Sequence, residues 1–269
     1  MARIDTGLGA IGIDERGEGD ALPLVFLHGV GSDKSAWAPQ LTYFGRARRT
    51  IALDYPGYGE SDPAAPGDAA AHDRFATAIV AALDALGVRR AHLCGLSLGG
   101  IVAIAIAHRA PERVASLIIS DSFAVHPNGP AILARSLAAS RDMRALAHGR
   151  VPALLAANPD PALAAELVEV MARIPADAFC LGCLAVWPAD QRDRAAAITA
   201  PTLLLCGGAD QVTPPALSEQ LAALIGNSAL IIIDGAGHLP NLERPTQFNA
   251  ALETFIVRQD VAVPELPTA

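Results

Sequence analysis

Residues 94–100, with the sequence CGLSLGG, decide the fold that we predict for this chain. Ser97 lies in a Gly-x-Ser-x-Gly pattern between the apolar run 91–95 and the segment 98–110, which has helical period. Only residues without bulk fit beside a serine on a tight strand-to-helix turn. The first turn of the helix directs its free N–H groups toward an atom bound to that serine. The pattern therefore predicts a strand, a strained turn and a helix, with Ser97 as a nucleophile.

The rest of the chain repeats this alternation of short apolar runs and helical segments. Continuous apolar runs are typical of strands that are buried on both faces of a parallel sheet. The runs are 23–27, 50–53, 91–95, 116–120, 202–206 and 230–233, and the helical segments are 35–44, 70–86, 98–110, 214–225 and 245–257. The glycine-rich first twenty residues predict an antiparallel hairpin at one edge. Together these features predict an open, mostly parallel α/β sheet flanked by helices.

One stretch interrupts the alternation. Residues 122–200 contain no convincing strand, but only Ala- and Leu-rich helical segments broken by seven prolines. We name these residues the cap segment and predict that it is a helical insertion between two strands, with residues 1–121 and 201–269 as the core. Ligands of open α/β sheets bind at the carboxyl ends of the strands. We therefore expect the cap segment to cover the binding site.

A serine hydroxyl is a weak nucleophile and needs a base. Among the seven histidines we predict that His238 is this base, because it follows the strand predicted at 230–233 on a glycine-rich loop. Asp210 follows the preceding predicted strand at the same sheet edge, and we predict that it orients the imidazole. Asp121, directly after the strand before that, is the alternative acid.

A nucleophilic serine also needs donors for the oxyanion that forms on the substrate. We predict that the backbone N–H of Leu98, directly after the nucleophile, is one of them. The second donor is predicted to be the N–H of Val30, in the sequence HGVG at 28–31 after the first core strand. Because both donors belong to the backbone, apolar side chains are compatible with this role.

With these pieces identified, the chain resembles the α/β-hydrolase superfamily, and in particular the 3-oxoadipate enol-lactonases and their relatives. The motifs that carry the resemblance are HGVGS at 28–32 with Trp37, DYPGYGESD at 54–62, CGLSLGG at 94–100, GHL at 237–239 and NLE at 241–243. The resemblance implies the α/β-hydrolase fold, with a mostly parallel eight-stranded sheet and a helical cap. It also implies a serine hydrolase that cleaves a small ester or lactone through an acyl-enzyme, without a metal or an organic cofactor.

Two other functions remain as alternatives. Carbon–carbon hydrolases of ring-cleavage dienoates share these motifs, but they commonly carry Asn at the position of Leu96 and Trp at the position of Leu239. A ligand-binding protein without catalysis is the second alternative, although such a protein has no need to keep the whole set of Ser97, Asp210 and His238. A serine nucleophile in place of Asp argues against haloalkane dehalogenase and epoxide hydrolase chemistry.

The cap segment supplies the candidates for substrate binding. Arg135, Arg141, Arg144 and Arg150 lie within a short span, and one of them could pair with a substrate carboxylate. A solvated helix face is the competing interpretation for each. We take Arg135, Arg144 and Trp187, which lies beside a proline, as the candidate substrate-binding residues.

The composition limits the possible partners. Hydrophobic residues make up 52% of the 269 residues and the net charge is −8, which indicates a globular protein and argues against nucleic-acid binding. We see no signal peptide at the N-terminus, and the longest apolar stretch, 101–107, is far shorter than the roughly 20 residues of a membrane span. We therefore expect a cytoplasmic protein that acts on a small molecule. The Cys-x-x-Cys at 180–183 is expected to pack in a helix rather than to bind a metal.

Overall fold

One eight-stranded sheet forms the centre of the computed structural model, which describes residues 2–65, 67 and 70–262. Its strands are β1 (Ala2–Asp5), β2 (Ala10–Arg16), β3 (Leu24–Leu27), β4 (Thr50–Leu53), β5 (Ala91–Leu96), β6 (Val114–Ser120), β7 (Thr202–Gly207) and β8 (Ser228–Ile233). Their order across the sheet is β1-β2-β4-β3-β5-β6-β7-β8. Strand β2 pairs antiparallel with β1 and β4, and the other pairs are parallel. The prediction of a mostly parallel sheet with an antiparallel edge hairpin is confirmed.

Burial explains why the strands could be recognised in the sequence. Every residue of β3, β4, β5, β6 and β7 is buried. A strand covered on both faces needs apolar side chains at consecutive positions, so its sequence forms a continuous run. Strand β8 lies at the edge of the sheet and leaves Ile231 and Ile232 exposed.

Helices lie between the successive strands from β3 onward and after β8. They are α1 (Ala38–Phe44), α2 (Ala71–Ala85), α3 (Leu98–Arg109), α4 (Gly129–Ala139), α5 (Met143–Leu154), α6 (Pro161–Arg173), α7 (Ala176–Val186), α8 (Arg192–Ala196), α9 (Pro215–Leu224), α10 (Pro240–Glu243) and α11 (Pro245–Ala262). Side chains fix where some of them begin: Asp142 accepts a hydrogen bond from the N–H of Ala145 at the start of α5, and Asp160 accepts one from Ala162 at the start of α6.

The cap segment contains α4 to α8 and enters and leaves the sheet between β6 and β7. Its two ends are joined by an isolated antiparallel bridge between Val125 and Asp190 and by a 2.7 Å hydrogen bond from the N–H of Gln191 to the carbonyl of Ala124. Helix α7 packs against α2 and α3, the helix that follows Ser97. The cap segment is thus anchored to the core at both its base and its centre.

Within residues 2–65, 67 and 70–262, no helix combines the length and the apolar character needed to cross a lipid bilayer. The strongly apolar part of α3, residues 98–107, is instead buried in the core.

Candidate active site

Ser97 lies at the turn between β5 and α3 in a left-handed backbone conformation, with φ 54° and ψ −111°. Non-glycine residues adopt such a conformation only when the surroundings impose it. The flanking positions have no space for a side chain, because a Cβ on Gly95 would overlap the carbonyl of Gly99 and a Cβ on Gly99 would overlap the carbonyl of Leu27. The N–H of Ser97 also donates to the carbonyl of Ser120 on β6, at 2.8 Å. The strand-to-helix turn predicted from the sequence is therefore present, and the reason for its glycines is steric.

His238 and Asp210 lie on the loops after β8 and β7 and contact each other directly. The imidazole Nδ1 is 2.8 Å from Oδ2 of Asp210. The same carboxylate accepts hydrogen bonds from the hydroxyl of Thr213 at 2.6 Å and from the N–H groups of Val212 at 2.7 Å and Thr213 at 3.1 Å. Burial acts to raise the pKa of Asp210, but the charge and hydrogen bond of His238 and the bonds from Thr213 outweigh it and hold this pKa below its usual value. Asp210 is therefore the charged partner of the imidazole.

Ser97 and His238 line the same small cavity, which we name the serine cavity and which has a volume of about 30 Å³. Its lining residues are Gly29, Val30, Gly31, Ser32, Ala36, Leu96, Ser97, Arg150, Leu154, Leu167, His238, Leu239 and Leu242. Among the described residues, Oγ of Ser97 has no hydrogen-bond partner. Catalytic hydrogen bonds often tighten only when a substrate is bound. The buried hydroxyl and the imidazole thus share a space from which bulk water is largely excluded.

The two predicted oxyanion donors lie beside the nucleophile. Leu98 is the first residue of α3, so its N–H has no acceptor within the helix. Val30 lines the serine cavity, and its N–H donates to no acceptor found among the described residues. His28 supports this loop by donating from Nδ1 to the carbonyl of Gly29 at 2.8 Å, and the Tyr58 hydroxyl donates to the carbonyl of Val30 at 3.2 Å. Burial lowers the pKa of His28, so the neutral imidazole is the form that fits this role.

A buried ion pair that the sequence analysis missed also supports the loop after β3. Nζ of Lys34 lies 2.6 Å from Oδ2 of Asp54 and 2.9 Å from Oε2 of Glu60, and the N–H of Lys34 donates to Oδ1 of Asp54 at 2.8 Å. Burial alone would lower the pKa of Lys34, but these two carboxylates raise it. Lys34 is the only lysine of the chain, which is the signal that could have drawn attention to it.

Asp121, the alternative acid, occupies a different environment from Asp210. Its backbone has a φ of 46°, and its carboxyl group accepts hydrogen bonds from the Ser120 hydroxyl at 2.6 Å and from the N–H of Gly207 at 2.8 Å. Burial and the charge of Asp210 raise the pKa of Asp121 well above its usual value. No hydrogen bond between Asp121 and His238 occurs in the described part of the chain.

Asp121, Asp210 and Cys206 place three possible metal-ligand atoms within 4.8 Å of one another. Burial raises the pKa of the Cys206 thiol, as it does that of Asp121. A neutral thiol and a neutral carboxyl group are poor ligands, and the Asp210 carboxylate is already bonded to His238 and Thr213. This donor set does not suit a cation.

The structure separates the candidate substrate-binding residues. Trp187 is buried and lines, with the exposed Arg135, an open space of about 980 Å³ between the cap segment and the loop after β7, which we name the outer groove. Arg144, by contrast, lies on the surface and forms two hydrogen bonds, of 2.6 and 3.0 Å, with Glu169 on α6. It lines neither the serine cavity nor the outer groove, so the expectation for Arg144 is wrong: its helix turns it toward solvent and a neighbouring carboxylate.

Arg150, six residues further along α5, is the arginine that reaches the site. It lines both the serine cavity and the outer groove, and its guanidinium carbon lies 5.8 Å from the centre of the Trp187 ring. The sequence analysis placed it among four cap arginines without preferring it. Its position on the inner face of α5 depends on how that helix packs, which the spacing of arginines does not reveal.

Glu243 on α10 joins the His238 loop to the cap segment. Its carboxylate accepts hydrogen bonds from the N–H of Gly237 at 2.8 Å and from the N–H of Ala156 at 2.7 Å. The N–H of His238 itself donates to the carbonyl of Leu154 at the end of α5, at 2.8 Å. The imidazole is thus positioned by the cap segment as well as by the core.

This fold and this arrangement of Ser97, His238 and Asp210 define an α/β hydrolase, and the chain belongs to the alpha/beta hydrolase family, whose model matches residues 24–251. It is similar to 3-oxoadipate enol-lactonase 1 of Acinetobacter baylyi, with 28% identity over 253 residues that cover 91% of this chain and 92% of the relative. The resemblance drawn from the motifs is confirmed.

Solved structures agree with this assignment. The enol-lactonase from Burkholderia xenovorans LB400 superposes with a TM-score of 0.87 at 26% identity, over 93% of this chain and 97% of the other. A thermophilic esterase from Thermogutta terrifontis also gives a TM-score of 0.87, at 27% identity, over 96% of this chain and 98% of the other. The relatives are hydrolases, and their names refer to lactones and esters.

Proposed function

We propose that this protein is a serine hydrolase that cleaves a small carboxylic ester or lactone through an acyl-enzyme. The observation that carries the proposal is the 2.8 Å contact between His238 and the charged Asp210, with the imidazole lining the same cavity as the strained Ser97. A carboxylate on Nδ1 fixes the imidazole so that Nε2 can accept a proton. The similarity to an enol-lactonase and an esterase supports the same substrate class.

In the first half of the reaction, Nε2 of His238 accepts the proton of Ser97 while Oγ attacks the substrate carbonyl. The N–H groups of Val30 and Leu98 donate hydrogen bonds to the oxyanion. The carbon–oxygen bond of the ester then breaks, and the leaving oxygen takes the proton from His238. A lactone follows the same steps, except that its leaving hydroxyl stays attached to the acyl group.

In the second half, His238 removes a proton from water, which attacks the acyl-enzyme. The second oxyanion occupies the same two donors, the bond to Ser97 breaks, and the proton returns to Oγ. Asp210 stays ionised throughout and stabilises the imidazolium. The cap segment acts in this scheme as a lid that encloses the acyl group.

The test is hydrolysis of 4-nitrophenyl acetate by purified Ser97→Ala. We expect turnover to fall by about 10⁴-fold or more, as it does when a nucleophilic serine of this kind is removed. Ser35→Ala, which changes an exposed serine, is the matched control and should keep the wild-type rate. Labelling by a fluorophosphonate, which loses fluoride when Oγ of Ser97 attacks its phosphorus, should add the mass of the phosphonyl group to the peptide that contains Ser97.

Three results would contradict the proposal. Near-normal hydrolysis by Ser97→Ala would exclude this serine as the nucleophile. Loss of the colour of a ring-cleavage dienoate at enzymatic rates would identify a carbon–carbon hydrolase instead. Stoichiometric labelling of Ser97 without turnover of any ester or lactone would indicate a binding protein.

A further inference from the structure

The loop that presents Val30 needs contacts from outside to keep one conformation. Val30 lies between Gly29 and Gly31, and glycines leave the backbone on both sides of it free to rotate. The N–H of Val30 shares a planar peptide group with the Gly29 carbonyl, so a bond to that carbonyl also orients the N–H. Nδ1 of His28 and the N–H of Ser32 donate to it at 2.8 and 3.3 Å. The next peptide group, which contains the Val30 carbonyl, depends on a different side chain.

That side chain is Tyr58, whose hydroxyl donates to the Val30 carbonyl at 3.2 Å. Within the described residues, this carbonyl accepts no other hydrogen bond. The ring of Tyr58 is fully buried, and its centre lies 5.1 Å from that of His28 and 6.3 Å from that of Phe75. Burial raises the pKa of Tyr58 well above its usual value, so the hydroxyl keeps its proton and remains a donor.

Helix α7 of the cap segment covers this hydrogen bond. Gly182 lies inside α7, and a Cβ at this position would overlap the Tyr58 hydroxyl oxygen and approach Cγ2 of Val30 to 2.9 Å. A glycine inside a helix is less favourable than alanine, so its presence fits a site where another group must come close. The cap segment therefore contacts both partners of the hydrogen bond and leaves the hydroxyl little room to turn away from the carbonyl.

Resting on the proposed function, we propose that Tyr58 is a positioning residue for ester cleavage. Its hydroxyl, confined by Gly182, fixes the Val30 carbonyl, so that the N–H of Val30 stays directed at the substrate oxygen. Together with His28 on the preceding carbonyl, it holds both peptide groups of Val30. A donor that is aligned before the reaction needs no reorganisation when the oxyanion forms. The cap segment thus contributes to the oxyanion site through α7.

The experiment measures how two ketones, trifluoroacetophenone and acetophenone, inhibit hydrolysis of 4-nitrophenyl acetate by the wild-type protein and by Tyr58→Phe. The fluorinated ketone is electrophilic: Oγ of Ser97 bonds to its carbonyl carbon, the carbonyl electron pair moves to the oxygen, and His238 takes the serine proton. The adduct therefore carries the oxyanion that Val30 and Leu98 would bind. Acetophenone keeps its carbonyl double bond and reports binding without an oxyanion.

In Tyr58→Phe we expect the Ki of trifluoroacetophenone to rise about 10-fold and kcat for 4-nitrophenyl acetate to fall by about the same factor. Removal of a whole oxyanion donor costs about 100-fold or more, and a loosened donor should cost less. KM should stay within about 3-fold, because acylation and deacylation use the same donors and slow together. The Ki of acetophenone should not change, since no charge forms on its oxygen.

Tyr55→Phe is the matched control, because Tyr55 is an equally buried neighbour whose hydroxyl has no hydrogen-bond partner in the described part of the chain. It should leave kcat and both Ki values unchanged. Gly182→Ala is a second variant, in which the added methyl group displaces the Tyr58 hydroxyl and should raise the Ki of trifluoroacetophenone alone. Tyr58→Phe should have a Tm about 2–4 °C below that of the parent, because the buried Val30 carbonyl loses its donor.

The outcomes separate this proposal from the proposed function. An unchanged Ki of trifluoroacetophenone in Tyr58→Phe, with hydrolysis that still depends on Ser97, would overturn the role of Tyr58 and leave the serine hydrolase intact. Equal losses of affinity for the two ketones, or an equal loss in Tyr55→Phe, would assign the side chain to packing of the cavity wall and would also overturn it. Absence of Ser97-dependent hydrolysis in the wild-type protein would overturn the proposed function itself.

Discussion

Asp121 and Asp210 lie close together behind the imidazole, yet their surroundings move their pKa values in opposite directions. Asp210 is bonded to His238 and Thr213, which lower its pKa, whereas burial and the neighbouring charge of Asp210 raise that of Asp121. Two carboxyl groups at this separation cannot both ionise at low cost. One therefore carries the negative charge that orients the imidazole, and the other remains neutral.

This difference predicts unequal effects of the same substitution. Asp210→Asn should lower kcat for ester hydrolysis by about 10⁴-fold, because an amide no longer fixes the imidazole tautomer. Asp121→Asn replaces a neutral carboxyl group with a neutral amide and should lower kcat by less than about 10-fold. Steady-state kinetics on 4-nitrophenyl acetate will measure both, and a larger loss in Asp121→Asn than in Asp210→Asn would reverse our assignment.

At this scale the sequence identifies side chains that follow strands but not the directions in which they point. Ser97, His238 and Asp210 could be predicted because each follows a recognisable apolar run at the carboxyl edge. Arg144 and Arg150 could not be separated, since six residues at 100° each place them on different sides of one helix and only packing decides which side is inner. Glu243 could be identified only as part of a motif and not by its role, because one of its partners, the N–H of Ala156, lies far away in the chain.

The strands and the strand-to-helix turn of the core tolerate few kinds of side chain, so short sequence motifs are enough to predict them. Strands buried on both faces require continuous apolar runs, and the turn at Ser97 requires glycines on either side. The ends of the cap helices are marked less clearly in the sequence. Proline lies in the first turn of α4 and α6, where it is tolerated, but also inside α5, so the prolines alone do not mark the helix ends.

Two glycine substitutions test this contrast between elements. Gly99→Ala places a Cβ against the Leu27 carbonyl and should lower the free energy of unfolding by more than about 2 kcal/mol, or prevent folding. Gly149→Ala, on the exposed side of α5, meets no atom within 4 Å and should raise the free energy of unfolding by about 0.5–1 kcal/mol. Urea denaturation followed by circular dichroism measures both. Equal stabilities of the two variants would show that the turn does not need its glycine.

At the scale of the whole molecule, a polar cluster attaches the last helix, α11, to the sheet. Asp260 accepts from Nε2 of His92 on β5 at 3.0 Å and from the Arg48 guanidinium at 2.6 Å. Burial opposes ionisation of Asp260, but the two hydrogen bonds and the charge of Arg48 prevail and lower its pKa from 3.8 to about 2. That decrease corresponds to about 2 kcal/mol of stabilisation when the carboxylate is charged.

The direction of this pH dependence follows because the pKa of Asp260 is lower in the folded protein than in the unfolded chain. The contribution is fully present above pH 4 and is lost as the pH falls through about 2. Asp260→Asn should therefore be less stable than the parent by about 2 kcal/mol at pH 6, and this difference should shrink between pH 4 and pH 2. Asp84→Asn, which changes an exposed carboxylate, is the control. Its stability should differ only slightly from that of the parent over the same pH range. A difference in stability between Asp260→Asn and the parent that stays constant down to pH 2 would contradict the prediction.

The hydrogen bonds of Glu243 couple two events that a hydrolase must coordinate. Because one carboxylate holds both Gly237 and Ala156, any lifting of the end of α5 pulls on the loop that presents the imidazole. Under the proposed function, His238 is then aligned as the base only while the end of α5 stays packed against its loop. Removal of the Ser97 proton would therefore be confined to the molecule in which the cap segment encloses the substrate carbonyl.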